Sequence, residues 1–94
     1  MIRSFKCKKT NILFEEHICD KQFFEISKKA LIKLAMIDAA NILDDLMIPP
    51  ANRLEKLQGD RANKYSIRIN DKWRICFVWN NGDAYEVEII DYHK

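Results

Sequence analysis

Tyr65-Ser66-Ile67-Arg68-Ile69-Asn70-Asp71-Lys72-Trp73-Arg74-Ile75-Cys76-Phe77 is the stretch whose pattern decides the fold. Tyr65, Ile67 and Ile69 alternate with Lys64, Ser66 and Arg68, and then Trp73, Ile75, Phe77 and Trp79 alternate with Lys72, Arg74, Cys76 and Val78. A period of two places every second side chain on the same side of the backbone, so each run predicts a half-buried strand. Between the runs, Asn70-Asp71 predicts a tight turn. Beyond Trp79, Asn81-Gly82 predicts another, because both residues tolerate the positive φ of a type I′ hairpin. The last strand, Asp83 to Ile90, is expected to set Tyr85, Val87 and Ile89 opposite Glu86 and Glu88. Two hairpins in series make an antiparallel sheet.

Upstream of this region the period is helical. Ile2 to Lys6 reads as a short strand, and Thr10 or Asn11 caps a brief helix through Glu16 with Leu13 and Phe14 turned inward. Asp20 is a suitable N-cap for a longer helix, in which Phe23, Ile26, Ala30, Leu34 and Ile37 form one apolar stripe. The phase then shifts to Met36, Ala40, Leu43 and Met47, with Asp38 as a second cap, which suits two successive helices or one bent helix. Pro49-Pro50 ends the helical region, since neither residue can donate a helical hydrogen bond. The expected fold class is α+β: an antiparallel sheet of about four strands with the amino-terminal helices packed on one face. The opposite face would carry Arg68, Arg74, Glu86 and Glu88. A chain of 94 residues buries only roughly 60–70% of its extended surface, so residues 1–94 are expected to share one core as a single domain.

Apolar residues make up 48% of the chain, with only two Gly, two Pro and no low-complexity tract, a composition that excludes a disordered tail. Met1 to Lys9 alternates apolar and charged residues, unlike a signal peptide or a spanning segment, which implies a cytoplasmic protein with no membrane partner. Cys7, Cys19 and Cys76 are an odd set without C-x-x-C spacing, which suits free thiols and no structural metal. There is no glycine-rich phosphate loop, Ser-His-Asp order or H-E-x-x-H, and no cofactor is expected. Net charge is only +2, but it is unevenly spread. From Arg53 to Cys76 seven cations stand against three anions, whereas from Asn81 to Lys94 one lysine meets four carboxylates.

Several residues have chemistry worth weighing. Arg74, in mid-strand, could hold a phosphate through two parallel donors, or pair across the sheet with Glu86 or Glu88; Arg68 carries the same two readings. Asp91-Tyr92-His93 gathers an acid, a phenol and an imidazole in three residues. It is either a frayed end or a site where histidine gives a proton and tyrosine stacks on a base. Glu55 is either a solvated carboxylate among basic neighbours or a general base. His17 has no partner at ligand spacing and reads as structural. Phe23, Phe24, Trp73, Phe77 and Trp79 read as core.

Met1-Ile2-Arg3-Ser4-Phe5, Pro49-Pro50-Ala51-Asn52-Arg53-Leu54-Glu55, Gly59-Asp60-Arg61, the quoted Tyr65 to Phe77 stretch, and Gly82-Asp83-Ala84-Tyr85 through Asp91-Tyr92-His93 together resemble HigB-type toxins. These plasmid maintenance killer proteins form a branch of the RelE/ParE superfamily. The match runs essentially end to end, and Ser-Ile-Arg-Ile-Asn-Asp-x-Trp-Arg-Ile with the terminal Asp-Tyr-His are its most specific pieces. The resemblance implies a RelE-like fold and a metal-independent, ribosome-dependent endoribonuclease that cuts mRNA and inhibits translation. The partner it implies is a HigA-type helix-turn-helix antitoxin, through which alone DNA would be met. By the same resemblance Arg74 stabilises the crowded phosphate and His93 protonates the leaving 5′ oxygen, with Asp91 and Tyr92 orienting His93 or the RNA. Arg53, Lys56, Arg61, Lys64 and Arg68 would clamp messenger or ribosomal phosphates. One departure stands out: some HigB toxins have histidine where this chain has Glu55 and lysine where it has Gln58. Glu55 would then serve as the base, as a glutamate does elsewhere in the superfamily. The same departure leaves open a ParE-like inhibitor of DNA gyrase, or a weak toxin that mainly binds its antitoxin.

Overall fold

Asp20 starts the long helical segment as its sequence predicts, its Oδ1 accepting the amide of Gln22 at 2.9 Å. The computed structural model, which describes residues 1–58 and 63–91, continues from there through a 3-10 turn, Lys21–Ile26, into helix α2, Ser27–Ala39. Phe23, Ile26, Ala30, Leu34 and Ile37 are all buried, so the whole predicted stripe faces the core. A shorter helix, α1 (Lys8–Glu16), precedes it and buries Leu13, with Phe14 partly covered. Thr10 does not cap this helix: it lies inside the first turn, fully buried, and its Oγ1 accepts the Ile89 amide at 3.2 Å. The second helical phase reduces to a 3-10 turn, Leu43–Met47, that buries Leu46 and leaves Met47 57% exposed. Asp38 caps nothing there. Its Oδ1 instead accepts the backbone amide of Ile2 at 2.8 Å, fastening the amino-terminal segment to the end of α2.

Four antiparallel strands follow in sheet order β1 (Glu55–Lys56), β2 (Lys64–Arg68), β3 (Trp73–Asn80) and β4 (Asp83–Asp91). The helices cover one face, giving the α+β arrangement expected of a RelE-like chain. Ile67, Ile75, Phe77, Val87 and Ile89 meet the helical stripe there, and Trp73 packs edge-on against Phe23 with ring centroids 5.7 Å apart. Burying side chains of this size stabilises by about 1.5–3 kcal/mol each, which makes this layer the main source of cohesion. Both predicted turns occur. Asn81 and Gly82 have φ of 50° and 82°, as a type I′ turn requires. The other turn is wider than Asn70-Asp71 alone, and Asn70 Oδ1 closes it by accepting the amides of Lys72 and Trp73 at 2.9 and 2.8 Å.

Two features depart from the simple alternating pattern. The Ile2 to Lys6 segment is no regular strand: it runs parallel to β4 through bridges at Ile2–Ala84 and Phe5–Val87. The fourth strand is supplied instead by the two residues of β1. The segment still occupies the outer edge of β4 with four backbone hydrogen bonds of 2.7–3.1 Å, so that edge does not present an open ladder. The second departure is a bulge. Cys76 pairs with Glu88 but Val78 pairs with Tyr85, so Phe77 faces two residues, Glu86 and Val87. Glu86 takes up the extra length at φ 52°. Downstream of the bulge Val87 and Ile89 face the core as expected, but upstream it is Ala84, not Tyr85, that is buried.

Candidate functional site

The sheet face away from the helices is organised by cross-strand register. One row runs Glu55, Ser66, Cys76, Glu88; a second holds Arg68, Arg74 and Ile90; a third holds Lys64, Val78 and Tyr85. Like charges directly opposite each other destabilise a sheet, and here Arg68 and Arg74 are cross-strand neighbours. Each cation is drawn to a carboxylate instead. Arg68 pairs with Asp71 in the adjoining turn, and Arg74 Nη2 lies 3.6 Å from Glu55 Oε1.

Arg74 is only 6% exposed. Its Nε donates to Ser66 Oγ at 2.9 Å, and its Nη2 donates to the Arg53 carbonyl at 2.8 Å. The sequence leaves its expected cross-strand pairing with Glu86 or Glu88 open, but neither is its neighbour. Arg74 stands opposite Ile90, and Glu86 sits at the bulge, with its amide donating to Ser4 Oγ. The carbonyl that holds Arg74 is presented because Arg53 turns back in the left-handed region at φ 45°. That turn follows Asn52, which is fully buried: its amide group donates to the Leu46 carbonyl at 3.1 Å and its Oδ1 accepts from Lys33 Nζ at 2.6 Å. Burial lowers the pKa of Lys33, and the neighbouring Lys29 lowers it further. A guanidinium fixed this firmly, out of water, needs no reorganisation to stabilise negative charge developing beside it.

Cys76 marks the centre of the face. Burial pushes its thiol up to about 11, Glu88 adds to the rise, and Lys64, Arg74 and Lys6 oppose it. The thiol is therefore protonated near neutrality and is not a nucleophile. Glu88 in turn lies between two lysines, 3.7 Å from Lys6 Nζ and 4.0 Å from Lys64 Nζ. Both separations exceed hydrogen-bond length, so these are loose ion pairs.

The predicted site residues divide accordingly. Glu55, Lys64, Arg68 and Arg74 share the open face. Arg53 contributes its carbonyl from an exposed position beside it. Lys56 is exposed but pairs with Tyr65, whose row belongs to the helix-covered side. Asp91 pairs with Trp73, also on that side, 3.8 Å from Lys72 Nζ, where it borders a cleft of about 340 Å³ with Gln22 and Trp73. Arg61, Tyr92 and His93 lie outside the described residues. Sequence reasoning missed Ser66, Lys6 and the Arg53 carbonyl as supports of the face. Ser66 stood within the most specific motif, but only the strand register reveals that it receives the guanidinium. Among the described residues no three His, Cys, Asp or Glu side chains converge as a metal site, and no helix is long and apolar enough to cross a membrane.

Comparison with known proteins agrees with this architecture. Residues 3–93 match the family model described as the RelE-like toxin of the type II toxin-antitoxin system HigB. The chain is 36% identical to Endoribonuclease HigB of Proteus vulgaris over 93 residues, covering 99% of this chain and 100% of that protein. It is 44% identical to Toxin HigB-1 of Vibrio cholerae serotype O1 over 62 residues, which is 66% of this chain and 64% of the relative. With a family match over nearly its whole length and a full-length relative, the chain belongs to the HigB family of RelE-like toxins of type II toxin-antitoxin systems.

Proposed function

We propose that this chain is a ribosome-dependent, metal-independent mRNA endoribonuclease that inhibits translation in the cytoplasm and is neutralised by a HigA-type helix-turn-helix antitoxin. The observation that carries the reading is the buried Arg74 guanidinium 3.6 Å from the Glu55 carboxylate, which is itself 53% exposed. A fixed cation beside an accessible base suits attack by a ribose hydroxyl on its own phosphate. Glu55 takes the proton of the 2′-hydroxyl, and the 2′ oxygen forms its bond to the adjacent phosphorus. Arg74 stabilises the extra negative charge on the crowded phosphate. The bond to the 5′ oxygen breaks and His93 supplies its proton, leaving a 2′,3′-cyclic phosphate and a 5′-hydroxyl. Asp91 and Tyr92 orient His93 or the RNA, while Arg53, Lys56, Arg61, Lys64 and Arg68 clamp messenger and ribosomal phosphates. DNA is met only through the antitoxin. The relative named as an endoribonuclease, aligned along the full chain, supports the same reading.

Primer extension on mRNA after a pulse of expression tests it. New ends should appear with the unaltered chain and vanish with Arg74→Ala and His93→Ala. Cut sites that persist unchanged in both variants would overturn the mechanism. Growth arrest without new ends, together with loss of supercoiling by purified gyrase, would transfer the chain to the ParE-like reading.

A further inference from the structure

The β4 bulge sets Ala84 in the core and decides which way an aromatic ring points. A regular β4 would place Tyr85 in phase with Val87 and Ile89, inside the molecule. The extra residue at Glu86 puts Tyr85 opposite Val78 instead, on the face that holds Cys76 and Arg74. Bulges commonly re-aim side chains next to active sites. Tyr85 is half-buried, and among the described residues its hydroxyl has no hydrogen-bond partner and its ring belongs to no aromatic pair. Phe5, Phe14, Phe23, Trp73, Phe77 and Trp79 all have ring partners on the covered side. Tyr85 therefore stands on the open face with neither an aromatic partner nor a hydroxyl hydrogen bond among the described residues.

The face beside it carries both signs: Asp83 and Glu86 stand close to it along β4, and Glu88 is held by two lysines. Lys64 stands opposite Val78 in the same row, and Lys6 and Lys64 hold Glu88 only at 3.7 and 4.0 Å. A phosphate can displace a carboxylate held this loosely, because it brings its own charge and more acceptor oxygens. Arg74 and Val78 are four residues apart on β3, about 13 Å along the strand, a distance that a short run of single-stranded RNA covers. Bases of single-stranded RNA are characteristically recognised by stacking on aromatic side chains, with cations following the backbone.

Resting on the nuclease reading, we infer that Tyr85 is the stacking platform of a second nucleotide subsite, with Lys64 and Lys6 on its phosphate, for an unpaired base beside the linkage held at Arg74. The test uses the full chain, isotope-labelled, titrated with a 2′-O-methyl tetraribonucleotide, whose capped 2′ oxygens cannot attack the phosphate. Tyr85 ring resonances should move upfield as Arg74 Nε responds. Inorganic phosphate should move the lysine signals and leave the ring unchanged. Tyr85→Phe should bind as the unaltered chain does, and Tyr85→Leu about tenfold more weakly. Ring resonances that stay in place while Arg74 responds, a Tyr85→Leu chain that binds normally, or phosphate alone reproducing the ring shift would each overturn the subsite and leave the nuclease reading intact. Silence at both Arg74 and Tyr85 would overturn the subsite, while the nuclease reading stands or falls on the primer-extension result. If Tyr85→Leu fails to fold, the ring shift and Tyr85→Phe still decide the question.

Discussion

The two faces of the sheet are made by the same strands but are held together by different physics. On the covered face Ile67, Ile75 and Phe77 need only be apolar and of the right size, and their partners come from helices far away in sequence. On the open face Arg74 depends on individual atoms, Ser66 Oγ and the Arg53 carbonyl, each within 3 Å. The first face tolerates exchange among similar shapes. The second is sensitive to one misplaced donor. A fold can therefore keep its core while its chemistry disappears, and substitutions on the two faces should separate stability from activity.

The largest effect is expected from Phe77→Ala, which opens a void where the ring is fully buried. It should cost about 3–5 kcal/mol of stability, read as a lowered urea midpoint. A smaller loss would mean that the helical layer closes over the gap. Arg74→Lys should do the opposite, keeping most of the stability but lowering the rate of mRNA cleavage by about 10²–10³-fold, because an ammonium cannot reproduce the planar fork. Cleavage within a few-fold of normal would blur the distinction between the faces.

Cys76 gives a pH test. The unfolded thiol ionises near 9, and the folded one is pushed up to about 11. Below the unfolded value its contribution is fully present. Above it the unfolded chain loses a proton that the folded chain keeps, so stability falls as pH rises toward the folded value. The fall should be on the order of 2 kcal/mol from pH 8 to 11 relative to Cys76→Ala, measured by urea denaturation at each pH. Parallel curves for the two proteins would show that burial on the open face is weaker than on the covered one. The smallest expected effect is that of Glu88→Gln. Removing a carboxylate shared loosely by Lys6 and Lys64 should change stability by less than about 1 kcal/mol. It should also strengthen the binding of a single-stranded oligonucleotide and steepen its salt dependence. Weaker binding would show that Glu88 orders the lysines rather than competing for them.

The covered face was almost wholly legible from sequence, because burial imposes a period. Phe23 through Ile37 declared a helix, and Ile67, Trp73, Ile75 and Phe77 declared strands. The open face was legible only in part. Arg74 stood out, but its acidic partner was sought on β4, since β1 is two residues long and has too few positions to show any alternation. Tyr85 was placed with the core because Ala84 and Tyr85 are both acceptable inward residues, and a bulge between them leaves no trace in an apolar count. Asp38 and Thr10 were read as local caps, whereas each bonds a backbone amide distant in sequence. Local rules could not have revealed that. The terminal Tyr92-His93 pair stood out by its chemistry as well as by resemblance, and with Arg61 it lies outside the described residues.

The parallel stitching of Ile2 to Phe5 along β4 sets the order of events during synthesis. Ser4 and Glu86 meet across 82 residues, so the outermost strand pairing is also the one with the longest loop to close. A ribosome making this chain would release the helices well before β4 emerged to complete the sheet, and the β2–β3 hairpin, which ends at Asn80, just ahead of it. Until then Arg74 would have its β2 neighbour but not Ile90 beside it. Maturation of the open face thus waits for β4, however early Arg74 gains its β2 neighbour.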